Sequence, residues 1–323
     1  MLIIVEGPDG SGKTTLVNDL SHAVVTPVVD EEGKAIKNEK TGWEHNDTQA
    51  EILHSGPLKQ NPIVAYEMRL KNYDPFHDIV IADRWHVGEL IYGPLLRGSS
   101  QLTPAMKRHT DLLLVKLGAV KVFMDTDFET TYERAYGRGE DLIPSQHARL
   151  VWDAYQEICT LKDNWLPASR FKLNVIVETA RALTLKAQSL HRFKSYVGPI
   201  NPHTLVLGGQ PDVPRPGQAV TPWAFTPWAG SSGDYLLTTM EAAGCRSYGL
   251  ADCKDTDIAD LWATLDFPKI VLLGVEAELA MKKEDDVVQA AITRTLEHPR
   301  FVQQFKMGAL HKYGQILKEA VNG

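Results

Sequence analysis

Met1-Leu-Ile-Ile-Val-Glu-Gly-Pro-Asp-Gly-Ser-Gly-Lys-Thr-Thr15 opens the chain, and its reading decides the fold. Leu2 to Val5 is short and apolar, with β-branched Ile3, Ile4 and Val5, as expected of a strand buried on both faces. Gly7-Pro-Asp-Gly-Ser-Gly-Lys13-Thr14 then satisfies G-x-x-x-x-G-K-[ST] at every fixed position. Thr15 to Leu20 is compatible with a helix start. Strand, glycine loop and helix follow in the order that a phosphate-binding loop requires. Gly7, Gly10 and Gly12 let the backbone turn tightly and bring N–H groups to phosphate oxygens. The helix behind the loop points its positive end at the same anion. Lys13 can supply a mobile positive charge to the β- and γ-phosphates, and the Thr14 hydroxyl can hold Mg²⁺.

Outward from this loop, the first helix is expected over Leu16 to Val25. Residues 26–47 are polar and turn-rich and read as loops or an insertion. Residues 48–73 predict a helical region broken at Gly56-Pro57 and Asn61-Pro62. Ile79 to Ala82, Ala119 to Met124 and Leu173 to Val177 predict further buried strands. Helical patterns lie at 103–117, 127–137 and 144–164, and residues 178–197 read as a helix or linker. Strands alternating with helices predict a parallel sheet with right-handed crossovers. Ligands of such sheets sit at the carboxyl ends of strands, where Gly7, Asp83 and Asp125 fall.

The texture changes after Gly198, with Pro199, Pro202, Pro211, Pro214, Pro216 and Pro222 in succession and Pro227 just beyond. A domain boundary is placed there, giving domains 1–197 and 198–323. In the second, strands are expected at 204–207, 247–251 and 269–273, with helices at 234–243, 257–265, 285–296 and 302–321. The expected fold class is α/β: a three-layer parallel sheet with a second, smaller α/β domain.

Composition excludes several classes. With 43% hydrophobic and 23% charged residues the chain is an ordinary globular protein rather than a disordered one. No apolar run is long enough to span a bilayer, and the amino terminus meets Glu6 too early for a signal peptide. Cys159, Cys245 and Cys253 are odd in number and widely spaced, so they read as small buried residues rather than a disulfide frame or zinc site. Residues 1–197 carry 23 basic and 26 acidic side chains, and residues 198–323 carry 11 and 15. Neither half has the basic excess of a strong nucleic-acid binder, although a local basic groove stays open.

Phosphoryl transfer needs cations gathered around the moving group. Asp83-Arg84 stands at a strand end, where the carboxylate can reach Mg²⁺ through water and Arg84 can reach a substrate phosphate. Arg134 and Arg138 lie about one turn apart near an expected lid that closes over the phosphates and excludes water. Arg69 precedes the second strand and can meet an acceptor. Each arginine taken alone also fits a solvated helix face.

Glu6-Gly-Pro-Asp-Gly-Ser-Gly-Lys-Thr-Thr15 resembles the opening of the thymidylate kinases, Asp83-Arg84-Trp85 their Asp-Arg-aromatic motif, and Arg134…Arg138-Gly-Glu their arginine-bearing helix and lid. The resemblance covers roughly residues 1–190. It implies a P-loop kinase fold, ATP and Mg²⁺ as cofactors, and transfer of the γ-phosphate to a deoxynucleoside monophosphate. By position it implies ATP binding by Gly7, Gly10, Ser11, Gly12, Lys13, Thr14 and Thr15, and metal binding by Thr14 and Asp83. Lys13, Asp9, Arg84, Arg134 and Arg138 are its catalytic set, and Arg69, Asp83 and Arg84 its acceptor set. The chain departs from the family at 26–47, between Arg69 and Asp83, and at His86-Val-Gly-Glu-Leu-Ile-Tyr92, where the acceptor base is expected.

Residues 205–305 faintly resemble the uracil-DNA glycosylase superfamily, through Gly208-Gly-Gln-Pro-Asp-Val-Pro and His298-Pro299. That likeness implies Asp212 and His298 as site residues, with Gln-Pro-Asp out of the usual order. Trp223, Phe225 and Trp228 can stack on a base or simply pack. Three readings therefore stand. One is a deoxynucleoside monophosphate kinase with an accessory domain. Another is a DNA kinase acting on a hydroxymethylated pyrimidine, its second domain gripping the base or the DNA. The third is a nucleic-acid-binding module whose loop only switches conformation. Expected partners are a free nucleotide or modified pyrimidine in DNA, a homodimer being an open alternative and a membrane none. The fusion suggests a phage-like source, and the three cysteines, read as small buried thiols, suggest a reducing cytoplasm.

Overall fold

A computed structural model describes residues 1–24, 50–54, 69–70, 72–137, 143–160, 164–209, 231–253, 256–265, 267–284, 286–299, 301–302 and 310–323. The stretch 26–47, like Arg138, Asp212 and the three aromatics Trp223, Phe225 and Trp228, lies outside them. In chain order the elements are β1 (Leu2–Glu6), α1 (Lys13–Val24), β2 (Glu51–His54), β3 (Val80–Asp83), α2 (His86–Arg97), α3 (Pro104–Lys116), β4 (Val120–Phe123), α4 (Phe128–Tyr136), α5 (Ala148–Ile158), β5 (Trp165–Pro167) and α6 (Leu173–Leu190). They continue with β6 (Thr204–Gly208), α7 (Ser231–Ala243), β7 (Tyr248–Asp252), α8 (Ile258–Leu265), β8 (Lys269–Leu273), α9 (Val275–Met281), α10 (Asp286–Ala290), β9 (Ile292–Leu296) and α11 (Leu310–Asn322).

The chain is α/β with two parallel sheets, ordered β2-β3-β1-β4-β5 and β7-β6-β8-β9. It divides into two compact units. The first comprises Met1–Pro62, Tyr73–Gln101 and Gly118–Leu185, and the second Ile63–Asn72, Leu102–Leu117 and Lys186–Gly323. In the first, β1 is central and wholly buried, and the glycine loop leaves its carboxyl end into α1. Ile3, Val5, Ile81 and Val122 pack on Val17 and Leu20 of α1 and on Ile176 and Ala180 of α6. In the second unit, Leu205, Leu207, Ile270 and Leu272 of the sheet pack on Leu261 and Leu265 of α8. Here α3, capped by Thr103 with Pro104 in its first turn, lies against α7. Among the described residues no helix is long and apolar enough to cross a membrane.

Four expectations are corrected. Leu173 to Val177 is not a strand but the first turns of α6, and the edge strand is Trp165–Pro167. Buried Ile176, Ala180, Thr184 and Ala187 recur at helical spacing, and a five-residue, mostly apolar window cannot reveal that period. Glu51–His54, expected as helix, pairs with β3 as an edge strand. The 144–164 helix is confined to Ala148–Ile158, after a 3₁₀ turn at Ser145–His147. Within 285–296, a helix stops at Ala290 and Ile-Thr-Arg-Thr-Leu296 joins the sheet as β9, in keeping with its β-branched residues.

Candidate active site

The loop between β1 and α1 takes left-handed turns at Gly10 and Gly12, with φ of +79° and +95°. A Cβ on Gly10 would strike the Thr131 carbonyl oxygen and lie 2.8 Å from the Ala135 nitrogen, so α4 packs directly on the loop. Lys13 is buried and folds back, its Nζ donating to the Pro8 carbonyl at 2.7 Å. Burial first, then repulsion from Arg84, holds the Lys13 pKa down to about 7, against the pull of Asp9, Asp83 and Glu6. The Ser11 hydroxyl is buried and meets no hydrogen-bond partner among the described residues.

Beside the loop, Thr14 Oγ1 donates to Asp83 Oδ2 at 3.2 Å. The same oxygen lies 3.5 Å from His54 Nδ1. A hydroxyl and a carboxylate are the hard oxygen donors that suit Mg²⁺, which ordinarily completes its shell with phosphate oxygens and water. Among the described residues no group of three or more His, Cys, Asp or Glu side chains is placed to hold a metal unaided.

On the other side of the loop stands a polar cluster built from three elements. Arg84, just past β3, pairs through Nη2 with Asp9 Oδ1 and stacks over the Tyr92 ring at 5.2 Å. Its φ of +72° is uncommon for a side chain of this size. It is held by its N–H to Val5 at 2.9 Å and by the next residue's N–H to Glu6 Oε1 at 2.7 Å. The Tyr92 phenol binds Asp9 through both main chain and side chain. Burial would raise the Asp9 pKa, but Arg84 and Lys13, with hydrogen bonds from Arg84 and Tyr92, bring it below the usual carboxylate value. Burial pushes the Tyr92 phenol upward, so it stays a neutral donor.

Glu6 is fully buried at the end of β1. Its Oε1 accepts from the N–H groups of Trp85 and Gly88, and its Oε2 from the Tyr155 hydroxyl at 3.3 Å. Trp85 caps α2 without a side-chain bond, so the Glu6 carboxylate serves as the cap from another strand. Desolvation raises the Glu6 pKa, with those N–H bonds and the charges of His86 and Arg84 opposing it.

A solvent-open cleft adjoins this cluster, bounded by Pro8, Asp9 and Tyr92 on one side and Phe128, Tyr132 and Tyr136 on the other. Tyr132 and Tyr136 lie 4.6 Å apart, ring to ring. Arg149 stacks over Phe128 at 4.8 Å and Trp152 at 4.9 Å.

The structure thus gathers Gly7, Asp9, Gly10, Ser11, Gly12, Lys13, Thr14, Asp83 and Arg84 around one loop. Arg134 is exposed on α4, yet its Nη1 lies 4.0 Å from where a Cβ on Gly12 would stand. Arg69 lies in a helical pair, 69–70, that clusters with the second unit. His298 is half-buried after β9, also in the second unit. Sequence reasoning gave no role to Glu6, Tyr92, Tyr155 or His54. Glu6 alone carried a signal, as an acidic residue closing an otherwise apolar buried strand.

No family model and no curated protein sequence matches the chain. Among solved structures, YorR from Bacillus subtilis, in complex with phosphorylated GDP, matches at 18% identity and a TM-score of 0.39 over 57% of this chain and 96% of its own. Deoxyadenosine kinase from M. mycoides, with products dCMP and a flexible dCDP bound, matches at 16% identity and a TM-score of 0.30 over 56% of this chain and 97% of its own.

Proposed function

We propose that the chain is an ATP- and Mg²⁺-dependent phosphotransferase, a thymidylate kinase-like enzyme that phosphorylates a deoxynucleoside monophosphate. The observation that carries this reading is the meeting of Thr14 and Asp83 at 3.2 Å, beside a glycine loop that shelters Lys13. With ATP bound, the loop amides and Lys13 hold the β- and γ-phosphates, and Thr14 and Asp83 hold the cation that neutralises them. Arg84 leaves Asp9 for the acceptor phosphate, and Arg134 and Arg138 approach the moving phosphoryl group. The aromatic cleft beyond Asp9 and Tyr92 receives the acceptor base and excludes water.

A second reading has support from the second unit. There β6 lies between β7 and β8, so the strand order reverses beside it, where open parallel sheets bind ligands. Gly208 ends β6, and His298 packs against Gly274 at the end of β8, 3.0 Å from where a Cβ would stand. On this reading residues 198–323 grip a base or DNA, with Asp212 and His298 in the site. The acceptor is then a 5-hydroxymethyl pyrimidine in DNA.

One assay separates the readings. Radiolabelled ATP is offered with dTMP, with other deoxynucleoside monophosphates, and with DNA carrying 5-hydroxymethyluracil. Label on free nucleotide supports the first reading and label on DNA the second. Absence of transfer to any acceptor refutes both.

A further inference from the structure

Parallel register pairs His54 with Asp83, and Asp83 in turn with Val5. Register partners on neighbouring strands project to the same face of a sheet. His54 therefore shares a face with the carboxylate that meets Thr14. Asp83 Oδ2 is common to both contacts, 3.2 Å from Thr14 Oγ1 and 3.5 Å from His54 Nδ1. At that longer distance the imidazole is near the carboxylate but not tightly bonded to it. The His54 side chain is 59% exposed. A contact so open to water adds little to folding, so it gives stability little reason for an imidazole here.

Chemistry does give a reason. Hydroxyl, carboxylate and phosphate oxygens suit hard cations, whereas neutral imidazole is a borderline nitrogen donor that ranks transition metals above Mg²⁺. We propose that His54 supplies a nitrogen ligand to the divalent cation held by Thr14 and Asp83, so that the site favours Mn²⁺ and Co²⁺ over Mg²⁺. The proposal rests on the phosphotransferase reading, because nucleotide phosphates and water supply the remaining ligands.

The full-length chain, loaded with Mn²⁺ and ADP, is examined by pulsed electron paramagnetic resonance. Nitrogen hyperfine modulation on the Mn²⁺ echo is expected in the native chain and is expected to vanish in His54→Ala. Calorimetry should show His54→Ala losing about tenfold in Mn²⁺·ADP affinity while Mg²⁺·ADP affinity is unchanged within error. His54→Gln, which keeps a polar side chain but no imidazole, should behave as the alanine variant does. Bound Mn²⁺ without nitrogen modulation, or equal losses for the two cations, overturns the role of His54 and leaves the nucleotide site standing. If neither metal·ADP complex binds the native chain, the phosphotransferase reading falls and His54 falls with it.

Discussion

Tyr92 and Asp9 are bonded twice: the phenol donates to Asp9 Oδ2 at 3.0 Å and accepts from the Asp9 N–H at 3.3 Å. The same ring lies under the Arg84 guanidinium. One side chain of α2 thus sets the position of a loop acid and of the arginine that pairs with it. Tyr92→Phe keeps the ring and removes both hydrogen bonds. Bonds to charged groups are worth roughly 1.5–3 kcal/mol, so kcat/KM for the acceptor should fall about ten- to a hundredfold. ATP affinity should barely move. Steady-state kinetics with each substrate varied in turn check this, and an unchanged acceptor kcat/KM removes Tyr92 from the site.

Lys13 lies inside the loop with its ammonium on the Pro8 carbonyl. The phosphate contact proposed for it would make turnover, rather than folding, depend on it. Lys13→Ala should cut turnover by orders of magnitude while the far-ultraviolet circular dichroism stays native. Native turnover in this variant is incompatible with the proposed chemistry.

Glu6 couples β1 to the start of α2 through a buried carboxylate. Glu6→Leu leaves the Trp85 and Gly88 N–H groups buried without an acceptor, at roughly 1–3 kcal/mol each. The variant should melt well below the native chain. Glu6→Gln retains one acceptor oxygen and should lose less. Equal melting temperatures for Glu6→Leu and the native chain count against the capping role.

Lys116 of α3 is buried in the second unit and donates to the Phe193 carbonyl at 2.6 Å. Burial, with the Lys194 charge second, lowers its pKa from 10.5 to about 7. Between those values the unfolded chain holds a proton that the folded chain has released, so stability rises with pH across that window. Below about 7 the cost of the buried charge is felt in full. Lys116→Met removes this dependence. Its stability relative to the native chain should be greater at pH ~6.5 than at pH ~9 by on the order of 2 kcal/mol, measured by urea denaturation. A difference independent of pH means that the folded-state pKa is close to the ordinary one.

Local pattern was enough for the glycine loop, because its spacing reports a backbone conformation that needs no distant partner. The largely apolar runs of β1, β3, β4, β6, β7 and β8 were legible for a related reason: strands buried on both faces read as near-continuous apolar runs. Leu173 to Val177 misled because a five-residue window with four apolar residues suits a strand or a buried helix equally well, and the helical period emerges only over the length of α6. The edge strand Trp165–Pro167 was too short to declare itself.

The first fifteen residues, read alone, determined that this protein opens with a buried strand, a tight glycine loop and a helix, the arrangement on which the proposed phosphate site rests. Which side chains stand around it was decided only by tertiary structure. His54, Asp83, Tyr92 and Tyr155 come from separate segments, and their meeting depends on sheet register and helix packing. Glu6 is adjacent to the loop in sequence, yet its partners Trp85 and Tyr155 are 79 and 149 residues away. Contacts of that span come from the packing of buried strands and helices, which the order of residues along any one segment does not specify.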